Sequence, residues 1–218
     1  MYDALCQLYY ENRNLEQAVP MAAYMKNNFP FLGIAKPRRT VLHQKMLKQA
    51  KQGRHIDWEF VFRLWAQEER EFQYFAVDYL IALKNELKKE DIEKLEKLIT
   101  TKPWWDTVDS LAGTVTGELC AKYGELIGSA ILPWAEVSDL WLKRTAILFQ
   151  LKYKDRTNTE VLSQVINSNL GTKEFFINKA IGWALREYSK TNPSWVKAFI
   201  ENNNLHPLSV REGSKYIK

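Results

Sequence analysis

Two cysteines, Cys6 and Cys120, are all that this 218-residue chain contains, and they stand far apart. No disulfide framework and no cysteine cluster of metal-binding spacing can be drawn from them, so two reduced, buried thiols are expected. The three histidines, His43, His55 and His206, are equally scattered, and no metal site is expected. Glycine and proline are sparse, at 9 and 7 residues, which argues against long irregular stretches. No apolar run reaches the ~18 to 20 residues that span a bilayer. The stretch from Met1 to Asn14 also has neither the basic start nor the apolar core of a secretory leader. A cytoplasmic protein without a membrane partner is the expectation. Phosphate-cradling glycine loops, dinucleotide fingerprints and nucleophile elbows are missing too, which argues against NTP chemistry and serine-type hydrolysis.

Charge is present but unevenly placed. The formal net charge is +5. From Trp141 onward there are 13 Lys+Arg against 6 Asp+Glu, so the preceding part is slightly acidic. A basic C-terminal third suggests an anionic partner, although a solvated basic surface would look the same.

Apolar residues recur at spacings of three and four almost throughout, and no alternating strand pattern stands out. The spacing predicts helices over 2–10, 15–27, 37–51, 57–65, 68–87, 91–99, 104–122, 125–134, 139–153, 159–168, 173–189, 194–203 and 209–217. Asn14 is a plausible cap and Pro37 suits a first helical turn. Ala76, Ala146 and Ala180 sit in similar contexts on the second helix of successive hairpins, the last two roughly 34 residues apart. A hairpin cannot bury its apolar stripe alone, so neighbours must stack. The expected fold is all-α: one domain over 1–218, an α-solenoid of HEAT-like repeats with a concave basic face. An unrepeated helical bundle is the alternative.

Three features could carry chemistry. Trp104 and Trp105 are adjacent at a helix start, and Trp105 and Asp109 share a face at i, i+4. A ring beside a carboxylate suits a cationic group, although two core tryptophans and a surface acid would fit the spacing. Arg144 falls inside the apolar stripe of its helix, where it must pair, snorkel or face a groove. It could bind phosphate or form a structural ion pair. Trp183 stands between Lys179 and Arg186, so it could stack on a sugar or base, or fill the core.

The segments Met21-Ala-Ala-Tyr-Met-Lys-Asn-Asn-Phe-Pro-Phe-Leu-Gly-Ile34, Trp104-Trp-Asp-Thr-Val-Asp-Ser110, Trp141-Leu-Lys-Arg-Thr-Ala-Ile-Leu-Phe-Gln-Leu-Lys-Tyr153 and Lys173-Glu-Phe-Phe-Ile-Asn-Lys-Ala-Ile-Gly-Trp-Ala-Leu-Arg-Glu-Tyr188, with Pro207-Leu-Ser-Val-Arg-Glu212, resemble the AlkD family. These are bacterial DNA alkylation repair glycosylases built of HEAT-like repeats. The resemblance runs in order along nearly the whole chain. It implies a monomeric, monofunctional glycosylase that hydrolyses the N-glycosidic bond of cationic N3- or N7-alkylpurines in duplex DNA. No cofactor or metal is implied, and the lesion would be read through the backbone without deep base flipping. By matching positions, Asp109 is the catalytic carboxylate, and Trp105 and Trp183 pack against the lesion's sugar and backbone. Arg144 contacts DNA, and Tyr24 lies near the lesion. Lys143, Lys179 and Arg186 are the accompanying candidates for DNA contact. A non-catalytic DNA-binding solenoid and a protein-interaction scaffold are the alternative functions.

Overall fold

Polar side chains cap several of the helix starts. In the computed structural model, which describes residues 1–217, α1 (Tyr2–Glu11) is followed by α2 (Leu15–Tyr24). The Asn14 side chain caps α2 by accepting the Gln17 N–H at 3.1 Å. α3 (Lys36–Gly53) carries Pro37 in its first turn. Asp57 caps α4 (Trp58–Ala66) through the Phe60 N–H at 2.9 Å, and α5 is Arg70–Ala82. Helix α2 ends before the expected Asn27 because Lys26 and Asn27 take φ of 59° and 57°. Likewise α5 is shorter than expected and gives way to a 3-10 turn at Lys84–Glu86.

These helices form one compact unit, Met1–Leu87. Its core includes Leu5, Tyr9, Phe60, Val61, Leu64, Phe72, Phe75 and Ala76, each no more than 5 % exposed. Each aliphatic or aromatic side chain buried this fully contributes roughly 1.5–3 kcal/mol. Buried His43 is hydrogen-bonded to Tyr9, Nδ1 to Oη at 2.8 Å. Burial pushes the His43 imidazole down to about 4, so it is neutral near pH 7. The 28–35 connection lies over the start of α5. Arg70 N–H donates to the Pro30 carbonyl at 2.9 Å, and the Arg70 guanidinium stacks 3.8 Å from the Phe29 ring centroid. The fully buried Glu71 carboxylate accepts the N–H groups of Leu32, Gly33 and Ile34 at 3.0, 2.9 and 3.0 Å. Gly33 is required here: its φ is +83°, and a Cβ would lie 1.8 Å from the Asn14 carbonyl oxygen.

The second unit begins at Lys88. It contains α6 (Asp91–Thr100), α7 (Trp105–Ser110), α8 (Gly117–Lys122), α9 (Leu132–Glu136), α10 (Leu140–Leu148), α11 (Thr159–Asn167), α12 (Phe175–Ser189), α13 (Pro193–Asn202) and α14 (Pro207–Gly213). Helix α10 packs between α7 and α12, and α12 packs between α10 and α14. Helices α6, α9 and α11 flank α10, and α13 flanks α12. This is the stacking of hairpins that the alanine spacing implied, and Ala146 and Ala180 are both 0 % exposed where the helices meet. No strand occurs among the described residues, and no helix among them is long and apolar enough to cross a membrane.

Expected helices differ in detail here too, and the one over 125–134 is π-helical at Ile127–Ile131 before α9. The run from Trp105 to Lys122 is unbroken, but Leu111–Thr116 within it is π-helical. The helix expected over 139–153 ends at Leu148. Beyond it, the Gln150 amide pairs with both backbone groups of Asn158, Oε1 to N at 2.8 Å and Nε2 to O at 3.1 Å. That side chain closes the turn into α11.

Candidate active site

Asp109 is the next-to-last residue of α7, two residues before the π-helical segment Leu111–Thr116. π-Bulges of this kind often mark functional sites, because the extra residue re-aims side chains. The segment is pressed against the end of α10. A Cβ at Gly113 would lie 3.4 Å from Leu151 Cβ, and one at Gly117 would meet the Phe149 carbonyl oxygen at 2.4 Å. The Tyr153 hydroxyl also donates to the Gly117 carbonyl at 2.5 Å. This close approach sets the distance between Asp109 and α10.

Across that interface Arg144 meets Asp109 in a two-pronged fork. Nε donates to Oδ1 at 2.7 Å and Nη2 to Oδ2 at 2.9 Å. The third prong, Nη1, donates to the Phe176 carbonyl of α12. Arg144 is 4 % exposed, and the Asp109 side chain 14 %. Burial raises the Asp109 carboxyl above its ordinary range, while the Arg144 fork pulls it back toward ionisation. Behind the guanidinium stands an aromatic wall. Trp104, Trp141 and Phe176 have ring centroids 5.1 to 5.7 Å apart, and the Phe176 ring lies 5.8 Å from Arg144 Cζ.

The tryptophan pair divides as adjacent positions on a helix start must. Trp104 joins this wall, and half-buried Trp105 stands on α7 one turn before Asp109. Half-buried Trp183 stands on α12, the helix whose Phe176 carbonyl holds Arg144. Asp109 and Arg144 are thus in direct contact, with Trp105 and Trp183 on the two helices that carry their partners. Lys143, half-buried beside Arg144, has no acidic partner among the described residues. Lys179 and Arg186 are both drawn to Glu212, at 3.0 and 2.9 Å. Tyr24 lies in the first unit, 69 % exposed on the last turn of α2.

Two basic features lie outside the set chosen from sequence. The stretch 17–56 holds eight Lys and Arg and no acid. Within it Lys45, Lys48 and Lys51 are exposed on α3 and pair with no acid among the described residues. That run is legible in the sequence as a 40-residue stretch without an acid. The second is Glu212 itself, with Lys215 as its third cation at 2.8 Å. It is invisible in the sequence, because Glu212 meets Lys179 and Arg186 only when α14 packs on α12.

The family model described as DNA alkylation repair enzyme matches residues 6–217. Among solved structures, one described as a predicted DNA alkylation repair enzyme from Enterococcus faecalis is similar, with a TM-score of 0.87 and 35 % identity. The match covers 94 % of this chain and 96 % of that one. None of the curated proteins compared matches the chain.

Proposed function

With the chain a member of the DNA alkylation repair enzyme family, we propose that it is a monofunctional glycosylase releasing cationic N3- or N7-alkylpurines from duplex DNA. The observation that carries this reading is the Asp109 carboxylate, oriented by the Arg144 fork and placed one turn from Trp105. Phosphate binding by itself would be opposed by a carboxylate facing DNA, so its part beyond neutralising Arg144 is chemical.

Alkylation at N3 or N7 gives the purine a positive charge and makes it a good leaving group without protonation. As the glycosidic bond lengthens, positive charge develops on the deoxyribose. Asp109 stabilises that charge and orients the attacking water. Arg144 holds both carboxylate oxygens in place, so no reorganisation is needed as the charge appears. Trp105 and Trp183 offer their negative ring faces to the same sugar. Water adds to the sugar carbon, the purine leaves with the bonding electrons, and the proton from water passes to solvent. No lysine nucleophile takes part, so the strand is left uncut at an abasic site.

The test is release of 7-methylguanine and 3-methyladenine from methylated duplex DNA, followed against pH. Base release is expected with a single acidic limb. The rate falls as pH drops through the Asp109 pKa, at a higher pH than for an ordinary aspartate, because burial raises that group. A folded, duplex-binding protein that releases no base at any pH would overturn the reading in favour of a non-catalytic DNA-binding role.

The lysines of α3 are proposed to add phosphate contacts. Replacing Lys45, Lys48 and Lys51 together with Gln should weaken duplex binding whatever its sequence. It should also reduce the slope of log affinity against log salt by about one for each phosphate that is no longer neutralised. An unchanged slope in a salt titration would remove α3 from the interface.

A further inference from the structure

A single buried carboxylate gathers three cations where α14 meets α12. Glu212 is 4 % exposed. Its Oε1 accepts Lys179 Nζ at 3.0 Å, and its Oε2 accepts Arg186 Nη1 at 2.9 Å and Lys215 Nζ at 2.8 Å. The carboxylate has little room to move. A Cβ added at Gly182 would lie 2.6 Å from Glu212 Cβ, and Ser209 Oγ ties α14 to the Asn178 carbonyl of α12 at 2.8 Å. The lysines hold the Glu212 carboxyl down at about 2, Lys215 foremost, so it stays ionised at any working pH.

An ordinary structural ion pair needs one cation. Here three surround one carboxylate and leave a surplus of about two positive charges. Their donors are far from used up. A lysine has three N–H groups and an arginine five, and each spends one on Glu212. Their side chains remain 38 %, 25 % and 46 % exposed for Lys179, Arg186 and Lys215. An approaching anion therefore meets cation ends first, with the acid buried among them. Lys179 and Arg186 also lie one helical turn before and after Trp183.

We propose that this cluster is a phosphate-binding site in which Glu212 is a positioning residue, holding Lys179, Arg186 and Lys215 together for the non-bridging oxygens of a phosphodiester. That the phosphodiester belongs to DNA rests on the function proposed above. The gain is entropic. Long basic side chains normally lose rotamer freedom on binding, whereas here Glu212 imposes that loss on folding.

Two measurements test this. The first is thermal melting in inorganic phosphate against chloride at equal ionic strength. Phosphate is expected to raise the wild-type Tm beyond chloride, and Lys215→Met, which leaves Glu212 two partners, should lose most of that rise. The second is duplex affinity of Glu212→Gln, with folding checked by its melting curve. This variant gains one net positive charge, so bulk electrostatics alone predicts tighter binding. The held cluster predicts roughly three- to tenfold weaker binding and a salt slope smaller by about one. Tighter binding by Glu212→Gln, or a wild-type Tm that does not distinguish phosphate from chloride, overturns the proposal. A phosphate-specific rise in a protein that binds no duplex supports the site and rejects the DNA reading instead.

Discussion

Asp109→Asn is expected to slow release of alkylated purines by about a thousandfold while leaving duplex binding unchanged or tighter. The substitution keeps the shape and one hydrogen-bond acceptor for the Arg144 fork, and Arg144 keeps its bond to the Phe176 carbonyl. What disappears is the negative charge that the proposed mechanism sets against the sugar. One charge pair at about 4 Å contributes about 4 kcal/mol at an effective dielectric near 20, which corresponds to roughly a thousandfold in rate. Ground-state binding should respond in the opposite direction, since a carboxylate beside a phosphate backbone is repulsive. Asn also leaves the Arg144 charge without its counterion in a site only 4 % exposed, so some stability is lost. The comparison must therefore be made below the melting range of the variant. Single-turnover base release with saturating DNA, beside an anisotropy titration on the same duplex, separates the two effects. Wild-type rates from Asp109→Asn would end the catalytic assignment of this residue.

The largest stability effect is expected at Glu71. Glu71→Ala leaves three buried N–H groups, those of Leu32, Gly33 and Ile34, with their acceptor removed. Each buried donor left unsatisfied costs about 1–3 kcal/mol, so a loss of about 3–5 kcal/mol is expected after partial relaxation. For a chain of this length that corresponds to a fall in Tm of roughly 10 °C. Glu71→Gln keeps one acceptor oxygen and should lose distinctly less. The 32–34 segment joins α2, which carries Tyr24, to α3, whose lysines are proposed to contact phosphate. Calorimetry on the three proteins gives the ranking, and equal melting of wild type and Glu71→Ala would show that this carboxylate is dispensable.

Local chemistry was enough for the helices. Asn14 and Pro37 act where their positions indicate. Helix ends were less legible. The stop at Tyr24 depends on two residues taking positive φ, and the stop at Leu148 on Gln150 reaching Asn158 across a turn. Nor does apolar periodicity distinguish an α-helical from a π-helical turn, so nothing in the spacing of 111–116 marks the π-helix there.

For the site, the residue types and their helical register were set by the sequence: Trp105 and Asp109 on one face, Arg144 in an apolar stripe, and Trp183 between two cations. Tertiary structure decided which of them touch. Arg144 had several possible partners, and only the packing of α7 against α10, permitted by Gly113 and Gly117, gave its fork to Asp109. Likewise Lys179 and Arg186 are merely basic until α14 brings Glu212 between them. Spacing along a helix fixes direction to within a turn, but whether side chains 26 to 35 residues apart touch depends on how closely two helices approach. That distance is set by the small residues at their interface and by buried charge that must find its partner.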